Sequence, residues 1–247
     1  MIKIDKDRFK ELINEYDYNK QRNTIGILKE KSIHSILKNY IDSNINNQEI
    51  KVDGYVCDIY DGKEIYEIQT IGLDKLRVKL NALGKDYIIN VIHPIARIKK
   101  VAWIDKETGE ISSYHMSPKK ATIYDALKEL YKIKMCLDNP NIKVHIMFLE
   151  CIEYRNLDGY GKTKKRYSTR HEMIATDLLD IYSLDSKSKY LSLLGGLIEF
   201  TNDVLSKHVK TSIRNATILT NILSYLDIIE VIRKDGRKNV YKVKKVE

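Results

Sequence analysis

Residues 55–70 read YVCDIYDGKEIYEIQT, two short apolar runs separated by an Asp-Gly pair. Asp61 and Gly62 both tolerate positive φ, so the pair predicts a two-residue hairpin loop with Tyr60 facing Lys63. Counted outward from that loop, Asp58 falls opposite Ile65 and Val56 opposite Glu67. Side chains alternate faces along a strand, so Asp58, Glu67 and Gln69 come out on one face. Asp58 and Glu67 are then diagonal neighbours. Their Cβ atoms lie somewhat under about 7 to 8 Å apart, close enough for two carboxylates to lean onto one divalent cation.

The flanking sequence predicts the setting of this hairpin. Upstream, LKEKSIHSILKNYI reads as a helix on which Glu30 lines up with Ile33, Leu37 and Ile41, placing a carboxylate inside an apolar stripe. Burial without a partner is costly for such a group, which makes Glu30 a third candidate ligand. Residues 49–52 and a second Asp-Gly turn, Asp53-Gly54, add a strand before the hairpin. After it come a basic helix over 73–83, carrying Lys75, Arg77 and Lys79, and an apolar strand over 87–95 that His93-Pro94 is expected to end. A hairpin around Thr108-Gly109, an amphipathic helix over 121–136 and a buried strand over 142–152 follow.

Asp58 on one strand and Glu67-Ile68-Gln69 on the next resemble the hallmark of the PD-(D/E)XK nucleases, an Asp followed on the neighbouring strand by Glu-x-Lys. Gln69 stands where that family usually carries lysine. The order helix, three-strand meander, helix, strand is similar to the family's core as well. The resemblance implies an α/β fold with a restriction-endonuclease-like mixed sheet flanked by helices. It also implies Mg²⁺ or Mn²⁺ held by Asp58, Glu67 and the backbone carbonyl of Ile68, with Glu30 on the preceding helix. Gln69 would orient the attacking water, and Lys75, Arg77 or Lys79 would supply the charge that glutamine lacks.

Composition limits the partners. The chain has 247 residues and a formal net charge of +9, which favours a polyanion. Residues 162–170, KTKKRYSTR, carry five basic residues and no acid, after a Gly159-Tyr160-Gly161 break expected to end the sheet. Lys164, Lys165 and Arg166 there are candidate backbone contacts, against the plainer reading of a solvated loop. The three cysteines lack metal-like spacing and read as reduced packing residues. No apolar run is long enough to span a bilayer and no signal region follows the charged start, so a cytoplasmic protein with no membrane partner is expected.

Residues 197–247 resemble a winged helix-turn-helix. A short helix at 203–208 follows the cap Thr201, Lys210-Thr211 make the turn, and 212–226 form a longer helix with Ala216, Leu219, Leu223 and Leu226 inward. Its other face shows Arg214, Thr217 and Asn221, residue types that reach bases or phosphates in a major groove. A hairpin with the basic tip Arg237-Lys238 completes the wing. The expected organisation is therefore a nuclease-like domain over 1–182, a linker over 183–196 and a winged helix over 197–247. The function read from it is a metal-dependent DNA endonuclease acting on duplex DNA, compatible with a homodimer. The competing readings are a non-catalytic DNA-binding regulator and an RNA-processing nuclease.

Overall fold

The computed structural model describes residues 2–22, 32–105, 107–156 and 169–244. Its helices are α1 (Lys6–Arg22), α2 (Ser32–Ile41), α3 (Arg77–Leu83), α4 (Ile123–Lys132), α5 (Lys187–Leu191), α6 (Asn202–His208) and α7 (Ile213–Tyr225). Its strands are β1 (Gln48–Val52), β2 (Tyr55–Tyr60), β3 (Glu64–Ile68), β4 (Ile88–Ile104), β5 (His115–Met116), β6 (Ile142–Asn156), β7 (Thr169–Leu184), β8 (Glu199–Phe200), β9 (Ile229–Asp235) and β10 (Lys238–Val243). This is a mixed α/β chain with a large mixed sheet flanked by helices. Hydrogen bonding among the described strands runs β1-β2-β3-β4-β6-β7, with β5 on β4, and separately β8-β10-β9. The chain divides into two compact units. One holds residues 1–46, 94–121 and 147–181, the other 47–93, 122–146 and 182–247.

In the second unit the two Asp-Gly pairs behave differently, and this sets the register. Asp53 and Gly54 both take positive φ, 46° and 88°, so Val52 pairs with Tyr55 across a true two-residue loop. At the next turn only Gly62 is left-handed, at φ 89°. Asp61 instead turns its carboxylate onto the chain ahead, and Oδ1 accepts from the amides of Lys63 at 2.8 Å and Glu64 at 2.7 Å. Asp61 thereby becomes the corner before the loop, and its own N–H donates to the Glu64 carbonyl. Tyr60 faces Ile65 and Ile59 faces Tyr66, so the expected pairing of Tyr60 with Lys63 is corrected. The same count sets Asp58 across from Glu67 instead of Ile65. The slip is even, so the faces keep their assignment.

β3 and β4 are parallel, Glu64 pairing with Ile88 through Ile68 with Ile92, so the chain must cross back between them. It does so through a 3-10 turn, Leu73–Leu76, running into α3, with Leu73, Leu76, Leu80 and Leu83 buried. Gly72, at φ 79°, opens the turn. Glu129 of α4 closes it, Oε2 accepting from Gly72 N at 2.8 Å and Leu73 N at 3.0 Å. β4 runs straight through His93-Pro94 to Ile104, a correction to the strand end expected there. Proline's φ is compatible with extended chain and removes only one donor.

The last part of this unit carries α5 and a 3-10 turn within 183–196, then two capped helices. Thr201 accepts from Val204 N at the start of α6, and Ser212 from Asn215 N at the start of α7. Leu205, Ala216, Leu219, Ile222, Leu223 and Leu226 are buried.

The first unit contains α1 and α2, joined by an edge-on Phe9–Tyr40 contact at 5.4 Å, and the far portions of the long strands. The hairpin around Thr108-Gly109 is present, with Lys100 pairing with Met116 and Val101 with His115. β7 corrects the expectation that the sheet ends at Gly159–Gly161. Its apolar pattern is diluted by exposed and half-buried charges such as Asp180, which lies 3.9 Å from Arg97.

Because Glu129 satisfies two amides at the head of the crossover, Glu129→Ala should destabilise the protein by roughly 1–3 kcal/mol. Chemical denaturation measures this, and an unchanged midpoint would show that the cap is dispensable.

Candidate functional site

Asp58 and Glu67 meet at the open end of the β2-β3 pair. Beyond Ile59 and Tyr66, the Ile68 N–H donates to Asp58 Oδ2 at 2.7 Å. This fixes the Asp58 carboxylate over the strand junction. Glu67 is 3% exposed, a position that taxes a charged carboxylate heavily. Lys79 of α3 answers it: Nζ donates to Glu67 Oε1 at 2.7 Å and to the Val56 carbonyl at 2.6 Å. Burial pushes the Glu67 carboxyl up to about 7, and the neighbouring Asp58 charge adds to this against the opposing pull of Lys79. The same burial, with Glu67 nearby, pushes the Cys57 thiol up to about 12, leaving it a neutral packing residue. The cysteines are all free and buried.

The other expected site residues separate into groups. The Gln69 side chain is engaged locally, Nε2 donating to the Ile71 carbonyl at 2.5 Å, while its backbone carbonyl accepts from Nδ1 of buried His93 at 2.8 Å. At Ile68 it is the amide that engages the site, through Asp58. Lys75 and Arg77 are exposed on the crossover, and Arg77 Nε bonds the Asp74 carbonyl at 3.4 Å. Of the three candidate cations there, Lys79 is therefore the one brought to the carboxylates. Glu30, Lys164, Lys165 and Arg166 lie outside the described residues. Among the described residues no group of three or more His, Cys, Asp and Glu side chains is gathered as a metal cage, and no helix is long and apolar enough to cross a membrane.

On the C-terminal elements, Arg214 and Thr217 are exposed at the first half of α7, where the Thr217 hydroxyl donates to Ile213 O. Asn221 is engaged elsewhere: its Oδ1 accepts from Lys134 Nζ at 2.7 Å. Lys134 follows α4 and lies 5.2 Å from the ring centre of Tyr131 and 5.3 Å from that of Tyr225. Arg237 and Lys238 are exposed at the β9-β10 tip, with Lys238 paired to Asp203 at 2.6 Å. Lys134 escaped the sequence reading, because its partners lie 87 and 91 residues further on and no local periodicity links them.

A family model described as a domain of unknown function, DUF8091, matches residues 31–185, more than half of the chain. The chain belongs to this family. The DUF8091 region contains Asp58, Glu67, Gln69 and Lys79 and stops short of α6 and α7. An uncharacterized protein of Treponema pallidum (strain Nichols) is 30% identical over 146 residues, 58% of this chain and 57% of that relative. The chain thus spans somewhat over half the length of that relative. No solved structure matches the chain.

The raised Glu67 carboxyl gives a signed pH dependence. Between the ordinary value of 4.5 and about 7 the folded protein holds a proton that the unfolded chain releases. Stability should therefore fall as pH rises through that window, by on the order of 3 kcal/mol at about 1.4 kcal/mol per unit. Glu67→Gln should remove this slope. Urea unfolding at pH 4.5, 6 and 8 tests it, and parallel profiles for the two proteins would contradict the assignment.

Proposed function

We propose that this protein is a divalent-cation-dependent DNA endonuclease whose reaction centre is Asp58, Glu67 and Lys79. The observation that carries the reading is the 2.7 Å Lys79–Glu67 contact beside Asp58. It brings a lysine to the acid pair from α3, where the nuclease resemblance expects one at position 69. The donor set fits Mg²⁺ or Mn²⁺: two carboxylates share one strand junction, and carboxylate oxygens are the ligands such hard cations take. Asp58 and Glu67 would hold the ion. When bound, it supplies Lewis acidity toward a phosphodiester and lowers the pKa of an attacking water.

The chain's own groups divide the remaining work. Ile68 N–H fixes the Asp58 carboxylate, so that ligand is set before substrate arrives. Lys79, placed beside the acid pair by α3, would stabilise the negative charge building on the phosphate oxygens. Gln69 is held in its own turn by Ile71 and is a water-positioning group only after that bond is exchanged.

The C-terminal elements support DNA as the partner. α6, the turn at Lys210, α7 and the β9-β10 hairpin, with β8 closing a three-stranded sheet, follow the helix-turn-helix and wing that residues 197–247 resemble. Arg214 and Arg237 are exposed cations suited to phosphates. Asn221, held by Lys134, is withdrawn from base reading in this arrangement. A non-catalytic DNA-binding regulator is the second reading. It is favoured by the same ion pair, which neutralises Glu67 without any ion.

Cleavage of plasmid, linear duplex and RNA in Mg²⁺ and Mn²⁺ separates the readings. Asp58→Ala, Glu67→Ala and Lys79→Ala should each lower cleavage by about 100-fold or more while leaving duplex affinity nearly unchanged. Gln69→Lys should leave activity within a few-fold if Lys79 already fills the role. Wild-type silence on every substrate leaves the regulator.

Arg214→Ala and Arg237→Ala should each weaken duplex binding and reduce the slope of log K against log salt by roughly one. Asn221→Ala should leave both unchanged. Fluorescence anisotropy across a salt series reads this directly, and an unaltered slope in the arginine variants would make the module a protein contact.

A further inference from the structure

The opposite face of the same sheet carries a second, separate constellation, a row of four polar side chains from four neighbouring strands. Glu64 and Glu67 are an odd number of residues apart on β3, so they point to opposite faces. On the Glu64 side, Asn90 Nδ2 lies 2.6 Å from Glu64 Oε2. Asn90 Oδ1 lies 3.0 Å from His145 Nε2, and His145 Nδ1 lies 2.7 Å from Ser183 Oγ. These residues belong to β3, β4, β6 and β7, which are adjacent in that order. Asn90 and His145 are 3% and 2% exposed, whereas Glu64 and Ser183, at the two ends, are half-buried.

The direction of every bond in the row is forced from its acidic end. A carboxylate only accepts, so the nitrogen of the Asn90 amide must face Glu64 and its oxygen must face His145. That oxygen accepts, so His145 carries its proton on Nε2. Nδ1 is then the nitrogen with a free lone pair, and the Ser183 hydroxyl must donate to it. Burial holds the imidazole neutral, its pKa lowered to about 4. A hydroxyl bonded to a base that is itself oriented by a third group is the arrangement that activates a serine nucleophile.

We propose that Ser183 is an activated nucleophile that takes an acyl group from a carboxylic ester, with His145 as its base and Asn90 and Glu64 as positioning residues. Ser183 Oγ bonds to the ester carbonyl carbon as its proton passes to His145 Nδ1. The C–O bond to the leaving alcohol then breaks, and that alcohol takes the proton from His145. Water repeats the sequence to release the acid. The assignment does not depend on the chemistry of Asp58 and Glu67, which lie on the other face.

The test is labelling of the full chain with a fluorophosphonate, which bonds phosphorus to a reactive serine and expels fluoride, followed by peptide mass spectrometry and p-nitrophenyl acetate turnover. Label should fall on Ser183 and be absent from Ser183→Ala. His145→Gln should slow labelling by about 100-fold or more. If that variant fails to fold by circular dichroism, Glu64→Gln, at the half-buried end of the row, should slow it by about tenfold. An unlabelled wild-type protein, label elsewhere than Ser183, or labelling at the wild-type rate in the folded His145 or Glu64 variant overturns the proposal.

Discussion

A carboxylate 3% exposed, one residue from the end of its strand, is the constraint around which this part of the molecule is arranged. Glu67 cannot be hydrated there, and an unpaired charge in such a place would cost several kcal/mol. The Lys79 ammonium offsets that cost only because α3 lies over β3, which requires a parallel crossover into β4, a left-handed Gly72 to begin it and the Glu129 carboxylate to satisfy its first amides. The apolar stripe Leu73, Leu76, Leu80 and Leu83 holds the helix down, and the ion pair sets which part of it stands above the strand end. Hydrophobic burial gives the crossover its stability, whereas the buried charge makes one placement of α3 preferable to its neighbours.

How much of this was legible in the sequence follows from how local each determinant is. The alternation of YVCDIY and EIYEI is local, so the strands and the common face of Asp58 and Glu67 could be read directly. The register could not. It depended on whether Asp61 would adopt positive φ, as Asp53 does, or spend its side chain on the Lys63 and Glu64 amides. Composition does not separate these options, since both turns are Asp-Gly. The choice of Lys79 over Lys75 and Arg77 needed the seating of the helix, a tertiary fact. The two Asp-Gly turns, the Thr201 cap and the inward face of α7 were all short-range and appeared where expected, whereas Ser212, read as the first residue of its helix, caps it. β7 was lost because its half-buried and exposed acids break the apolar rhythm. His145 and Ser183 are 38 residues apart and become a pair only when β6 and β7 lie side by side.

The sheet of the second unit thus separates two kinds of polar burial. On one face a charge is met by an opposite charge from a helix. On the other, neutral groups pass hydrogen bonds from strand to strand and reach a carboxylate only at the rim. Each solution keeps buried polar atoms satisfied, the first by pairing opposite charges and the second by a row of hydrogen bonds with fixed direction.

α4 ends within a few residues of two quite different attachments. Glu129 grips the head of the crossover that presents Lys79, and Lys134, just past the helix, is gripped by Asn221 and flanked by the Tyr225 ring of α7. Both fixtures therefore sit at the C-terminal end of α4, in its last turn and just beyond it. The root of α3 and the flank of α7 are in this sense held from a single short stretch of chain, residues 129–134.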